Sequence, residues 1–321
     1  MIKKLFKTLI IIGLVGPIYS QALQPSIGLS SLPADSDPVC AITTYTGSFN
    51  TSGYQEGDTI PQFQLYDING VAADALTLLQ TGKPLLLIAG SYTCPVYRGK
   101  IAAIESIAAT FAGLINIYVV YVVEAHPNTP DVSPYSGTVW TTSENQSEGI
   151  LYLQPTTYGE KKSILSDELA DTAYPMTVPV LIDGPCNEWW LNFGPAPNNA
   201  YLINPDDGVV FAKHAWFNQA PENMTNDINA LLAILSVEEA EQYMPTIYPN
   251  PAHSFVNIQL PTPQTITSIT IYDAIGKEVY KNSSPITENV YQINTENYSK
   301  GMYTCVINNN QFTTTRKIII E

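Results

Sequence analysis

Basic side chains are scarce in this chain, whose 321 residues hold 14 Lys and Arg against 29 Asp and Glu, a formal net charge of −15. A surface of that sign repels phosphate backbones and anionic headgroups, so nucleic acid and acidic membranes are excluded as partners. Arginine is rarer still, with Arg98 the only one before Arg316. Cysteine is sparse too: Cys40, Cys94, Cys186 and Cys305 are too few to staple a chain of this length, which excludes a disulfide scaffold. Tyr97 stands where a Cys-x-x-Cys motif starting at Cys94 would place its second thiol, which excludes dithiol exchange within one motif. Charged residues make up only 13% of the chain against 45% hydrophobic, so general disorder is excluded and two modest domains can bury cores.

What is present begins with Lys3, Lys4 and Lys7 ahead of the apolar run Leu9 to Val15, followed by Pro17-Ile18-Tyr19-Ser20 at the cleavage-determining positions. That is the layout of a secretory signal peptide over residues 1–20, with an apolar run too short to span a bilayer. The mature chain is expected to start near Gln21, to carry no transmembrane span and, without those lysines, to hold 11 basic against 29 acidic residues. Residues 21–52 read as an N-terminal extension.

Gly57 to Asp67 alternates as a strand does, with a turn at Ile68-Asn69-Gly70 and a short helical stretch from about Ala73 to Gln80. Pro84 to Gly90 is a continuous apolar run, as expected of a strand covered on both faces, and Ile115 to Val123 is a second. Between them Ile101, Ile104, Ile107, Ala108 and Phe111 recur at helical spacing, so the three segments predict a right-handed crossover in a parallel sheet. Residues 127–155, rich in Pro, Ser, Thr, Asn and Gly, predict a long loop. A helix over 161–171, a strand over 178–183, a helical stretch through Trp189 and Trp190, a hairpin over 200–212 and a closing helix over 226–235 complete the pattern. This order predicts an α/β thioredoxin-like fold, a central mixed sheet with flanking helices, over residues 53–240. From 246 to 321 the chain becomes short alternating segments separated by turn residues, which predicts a small all-β sandwich domain.

Cys94 falls where the first buried strand hands over to a helix, and free amides and the helix dipole there favour a thiolate. Arg98, one helical turn on and on the same face, adds positive charge or is simply a helix-surface arginine. His126 ends the second buried strand, and the carboxyl ends of neighbouring parallel strands converge, so its imidazole can carry a proton for Cys94. Glu124, two positions back on the same side, reads as a helper to that pair or as a hydrogen-bonded structural carboxylate. His214 follows the last hairpin strand as an isolated residue. Cys186, just past the strand end at Asp183, is placed either to resolve an oxidised Cys94 or to pair with Cys40. Cys305 reads as a buried strand residue. No cofactor or metal site is read from the sequence.

Gly90-Ser91-x-Thr93-Cys94-Pro95 together with Val119-x-Tyr121-x-x-Glu124-Ala125-His126 resembles the iodothyronine deiodinases, and the likeness runs over residues 55–235 through Val178 to Asp183, Asn187 and Pro197 to Ile203. The resemblance implies a thioredoxin-fold enzyme with Cys94 in the place of the family's selenocysteine and His126 in that of its active-site histidine. The chain departs from the family at Tyr92, Val96 and Val123, and at Asn198-Asn199-Ala200, where two charges are lost. The peroxiredoxins share the fold, and Ser91-x-x-Cys94 matches half of their motif, although Leu87 stands where that motif has its proline. The readings are therefore an exported deiodinase-like or redoxin-type oxidoreductase, a thiol peroxidase, or a non-catalytic thioredoxin-fold binding module. Either enzyme takes a small-molecule or thiol/disulfide substrate and needs an external thiol reductant.

Ile247-Tyr248-Pro249-Asn250-Pro251-Ala252, Ile271 to Val279, Lys300-Gly301-Met302-Tyr303 and Arg316 to Ile320 resemble the C-terminal sorting domain of the Bacteroidetes type IX secretion system, over residues 247–321. That resemblance implies the type IX secretion machinery as a partner and a secreted or surface-attached product.

Overall fold

The computed structural model describes residues 23–242, 244–260, 265–309 and 313–321, so the expected signal peptide lies outside the described residues. The chain divides into two compact units, the first ending at Leu231 and the second beginning at Leu232.

The first unit opens with a segment that runs alongside the sheet: Ile27 and Leu29 donate their amides to the carbonyls of Gln62 and Gln64, both at 2.9 Å. Strands β1 (Gln64–Asp67) and β2 (Ala72–Asp74) form a hairpin. Its turn is closed by Asp67, whose Oδ1 accepts from the amides of Asn69 and Val71 at 2.9 and 2.8 Å, with Gly70 taking the left-handed φ of 79°. The expected helix from Ala73 therefore begins later, as α1 (Ala75–Leu79), with Asp74 capping Thr77 N at 2.8 Å.

The fully buried β3 (Leu85–Gly90) leads into the short α2 (Pro95–Arg98), then α3 (Ile101–Thr110) and β4 (Asn116–Tyr121). Strands β3 and β4 pair in parallel from Leu85 opposite Asn116 to Gly90 opposite Tyr121. Gly90 is there for space: a Cβ on it would sit 2.6 Å from Val119 Cγ1 and 2.9 Å from the Tyr97 ring. The stretch read as a loop over 127–155 contains a helix, α4 (Ser143–Glu148), capped by Thr142 accepting from Asn145 N at 3.1 Å and closed by Gly149 at φ 74°. Then come α5 (Tyr158–Ala170), β5 (Val180–Ile182), α6 (Glu188–Phe193), the hairpin strands β6 (Ala200–Ile203) and β7 (Val210–His214), and α7 (Met224–Gln242). Helix α5 starts three residues before the expected Lys161 because Thr157 caps it, accepting from Glu160 N at 3.2 Å.

The sheet order is β2-β1-β5-β4-β3-β6-β7. Within it β4-β3-β6-β7, two parallel strands followed by two antiparallel ones, is the thioredoxin arrangement, and β5 lies parallel beside β4. The core packs the inward side chains of β3 with those of Trp189, Trp190, Phe193 and Tyr201.

The second unit holds β8 (Thr246–Tyr248), β9 (Phe255–Gln259), β10 (Ile266–Tyr272), β11 (Glu278–Asn282), β12 (Val290–Asn294), β13 (Gly301–Asn309) and β14 (Thr313–Ile320). They form a sheet β11-β10-β13-β14 and a sheet β12-β9-β8, all antiparallel. Val256 and Ile258, Ile269 and Ile271, and Tyr303, Cys305 and Ile307 alternate inward to make its core. Cys305 is fully buried there, as its strand position predicted. No helix among the described residues is long and apolar enough to cross a membrane.

Candidate active site

Because β3 and β4 end side by side, the segments leaving them, Ser91 to Cys94 and Val122 to His126, emerge together. Side chains knit them into one frame. Ser91 Oγ accepts from Ala125 N at 2.9 Å, Thr93 Oγ1 accepts from His126 N at 3.0 Å, and Glu124 Oε2 accepts from Thr93 N at 2.8 Å. Tyr121 also donates its hydroxyl to Glu124. Burial pushes the Glu124 carboxyl up, while the hydrogen bonds from Thr93, Tyr121 and Ser91 pull it down.

Cys94 is the N-cap of α2, with Pro95 at the first helical position. Cys94 and His126 line the same cavity, of about 480 Å³. Around them stand the rings of Phe49, Tyr135, Trp140 and Trp216, with Trp140 edge-on to His126 at 4.2 Å. His126 loses basicity to burial, and the Trp140 main chain restores part of it. Its Nδ1 is buried without a hydrogen-bond partner.

Three expectations need correction. The first concerns the Cys94 thiol, which is pushed up to about 11 rather than held as a thiolate. Burial outweighs the downward pull of the Tyr97 and Val96 amides and of Arg98, because a charge at a site only 1% exposed loses most of its hydration. The second concerns Arg98 read as a helix-surface arginine, since it is only 2% exposed, although it does not line the cavity. Its guanidinium donates to Tyr92 O at 2.5 Å, Asn145 Oδ1 at 2.9 Å and Glu148 Oε2 at 2.8 Å, and lies 5.3 Å from the Tyr174 ring centre. It fastens α4 to the Cys94 segment and reaches the sulfur only as a through-space charge. The third concerns Cys186 as a resolving thiol: of its two readings the pairing with Cys40 is the one formed, with their Cα atoms 4.7 Å apart, so it is not a free resolving thiol in this state. That disulfide anchors the N-terminal segment, helped by Cys40 N donating to Pro185 O at 2.9 Å. Glu124 also stands outside the cavity wall, acting through the frame it ties. His214 is occupied elsewhere: Nδ1 accepts from Asn218 N at 3.1 Å, which leaves Nε2 to donate to Asp227 Oδ2 at 2.9 Å.

One residue not singled out by sequence is Asn145 of α4, fully buried. Its Nδ2 donates to Thr93 O at 2.8 Å and His126 O at 3.3 Å, and its Oδ1 accepts from Arg98. A capping Thr142 three residues ahead of it was the available signal. The aromatic wall was also missed, although Trp140 in a Thr- and Ser-rich stretch is an anomaly that composition alone displays.

Residues 46–147 match the iodothyronine deiodinase family. The matched segment contains Cys94, Arg98, Glu124, His126 and Asn145. Residues 246–321 match the family described as the secretion system C-terminal sorting domain. No curated protein matches the chain. Among solved structures, a putative thiol:disulfide interchange protein DsbE from Chlorobium tepidum is 16% identical, covering 56% of this chain and 99% of its own, with a TM-score of 0.37. A secreted disulfide oxidoreductase of Mycobacterium tuberculosis, homologous to E. coli DsbE, is 13% identical over 54% of this chain and 96% of its own, with a TM-score of 0.33. An immunoglobulin-like β-sandwich protein of the duf3244 family from Bacteroides vulgatus is 21% identical over 24% of this chain and 84% of its own, with a TM-score of 0.22.

Proposed function

We propose that the chain is an exported thiol-dependent oxidoreductase of deiodinase-like or redoxin type, with Cys94 as nucleophile and His126 as proton carrier, delivered outward by type IX secretion. The observation that carries this reading is the presence of Cys94 and His126 on the wall of one cavity beyond the ends of two parallel strands. At neutral pH the buried thiol keeps its proton, and the imidazole, its pKa lowered from 6.5, is free to accept it. As sulfur attacks the electrophilic atom of the substrate, the thiol proton passes to His126, and the imidazolium then gives it to the leaving group. An external thiol reduces the oxidised Cys94, since Cys186 is engaged with Cys40.

Turnover of a peroxide, an aryl disulfide and an iodinated phenol with a thiol reductant tests the reading. Cys94→Ser is expected to abolish turnover, and His126→Gln to lower it by about 10²–10⁴-fold. The rate should fall on the acid side only below pH 6.5, where His126 takes up a proton and loses its capacity as base. Equal turnover by Cys94→Ser refutes the proposal. The burial and raised pKa of Cys94 favour a second reading, a binding module without chemistry, which predicts that no substrate of the panel is consumed.

A further inference from the structure

We infer that the cavity beside Cys94 is an aromatic cage with a carboxylate at its rim, selecting ligands whose ring carries a quaternary or protonated amine and rejecting those that carry a carboxylate. The inference names a substrate class for the site proposed above, and the cage itself is there whether or not Cys94 turns over.

Four aromatic residues from separate parts of the first unit line this space. Phe49 lies edge-on to Tyr135 at 5.7 Å and to Trp216 at 5.3 Å, and Trp140 lies edge-on to His126 at 4.2 Å. Ring faces carry the negative part of the aromatic quadrupole and attract cations, most strongly where water is excluded. Among the described residues Glu144 is the only acidic one lining the wall; it is exposed and accepts from the Ser143 hydroxyl at 3.2 Å.

No lysine or arginine among the described residues lines the cavity. Three cations of the first unit are committed elsewhere. Arg98 is paired with Glu148 at 2.8 Å, Lys100 reaches Asn218 O at 3.5 Å, and Lys213 donates to the carbonyls of Asn50 and Ser52. His126 supplies no positive charge at neutral pH, since burial lowers its pKa. A carboxylate entering here would meet Glu144 and aromatic rings, with Arg98 felt only as a through-space charge that its partner Glu148 offsets, whereas an ammonium meets the carboxylate and the rings as attractive partners.

Three probes sharing one ring and differing in charge test this on the full chain carrying Cys94→Ser, at low salt: benzyltrimethylammonium, benzyl alcohol and phenylacetate, titrated by ligand-observed NMR. Affinity is expected in that order, with the cation at least about tenfold tighter than the anion. Glu144→Gln, an exposed change that leaves the core alone, is expected to cut the cation's advantage over benzyl alcohol about threefold, and Trp216→Leu to cut it further. Phenylacetate binding as tightly as the cation, no binding by any probe, or a cation preference undiminished in both variants would each overturn the inference, the last by tracing the preference to net charge. Since the Cys94→Ser protein has no nucleophile, a failure of the redox reading leaves this result standing, and the reverse holds.

Discussion

At the scale of single residues, burial decides the behaviour of the ionisable groups around Cys94. Glu168 of α5 shows this most plainly: it is fully enclosed, one of its oxygens has no partner, and burial together with the neighbouring Glu124 charge pushes its carboxyl up to about 8. In the folded protein Glu168 thus holds a proton that the unfolded chain releases near pH 4.5. Its contribution to stability is complete below about pH 4.5, is lost as pH rises toward 8, and falls by up to about 1.4 kcal/mol per pH unit in that window. Glu168→Gln should flatten that part of the profile, read from the urea midpoint of core tryptophan fluorescence at pH 5 and pH 8. An equal slope in the variant contradicts the assignment. The same weighing of burial against helix-end effects explains why the sequence led to the wrong ionisation state for Cys94. A strand-to-helix corner is visible in Gly90 to Arg98, but the depth at which the sulfur sits depends on chain segments far away. The meeting of Cys94 with His126 was legible because both follow buried strands whose parallel pairing is a local matter of apolar runs.

At the scale of elements, α4 is the part that sequence patterning hid. Six residues reading Ser-Glu-Asn-Gln-Ser-Glu have no apolar period, and what holds them is Asn145 turned inward onto Thr93 O, His126 O and Arg98. Asn145→Ala leaves the buried Arg98 short of an acceptor and two buried carbonyls without this donor, which should cost about 1–3 kcal/mol. Asn145→Asp should do no better, since it faces both carbonyls with a second acceptor. If Asn145 also positions the site, both variants lose turnover at temperatures where tryptophan fluorescence shows them folded. Full activity in folded Asn145→Ala would reduce this residue to a purely structural tie. The N-terminal segment was similarly underread as an extension: Phe49 closes part of the cavity, and the Cys40 to Cys186 bond fixes the segment across 146 residues of sequence, a pairing no local pattern could choose.

At the scale of the whole molecule, two units with different logic share one chain. The first has parallel strands buried on both faces, and the second has antiparallel strands with alternating inward residues, so each was legible from its own hydrophobic period. The division between them falls inside α7, between Leu231 and Leu232, while the family match over the second unit begins at residue 246, next to the boundary near 245 expected from the sequence. Truncation after Pro245 should remove outward delivery, with the first unit found inside the cell envelope by mass spectrometry of cell and culture fractions. Secretion of the truncated chain at the parental level would contradict the role given to residues 246–321.

The account turns on whether Cys94 does chemistry in that cavity. Single-turnover treatment with the substrate panel, followed by mass mapping of every cysteine, reads this directly. The account predicts an adduct or oxidised sulfur on Cys94, slowed by His126→Gln, with Cys40 and Cys186 still joined. A Cys94 that stays a free thiol while substrate is consumed would contradict it.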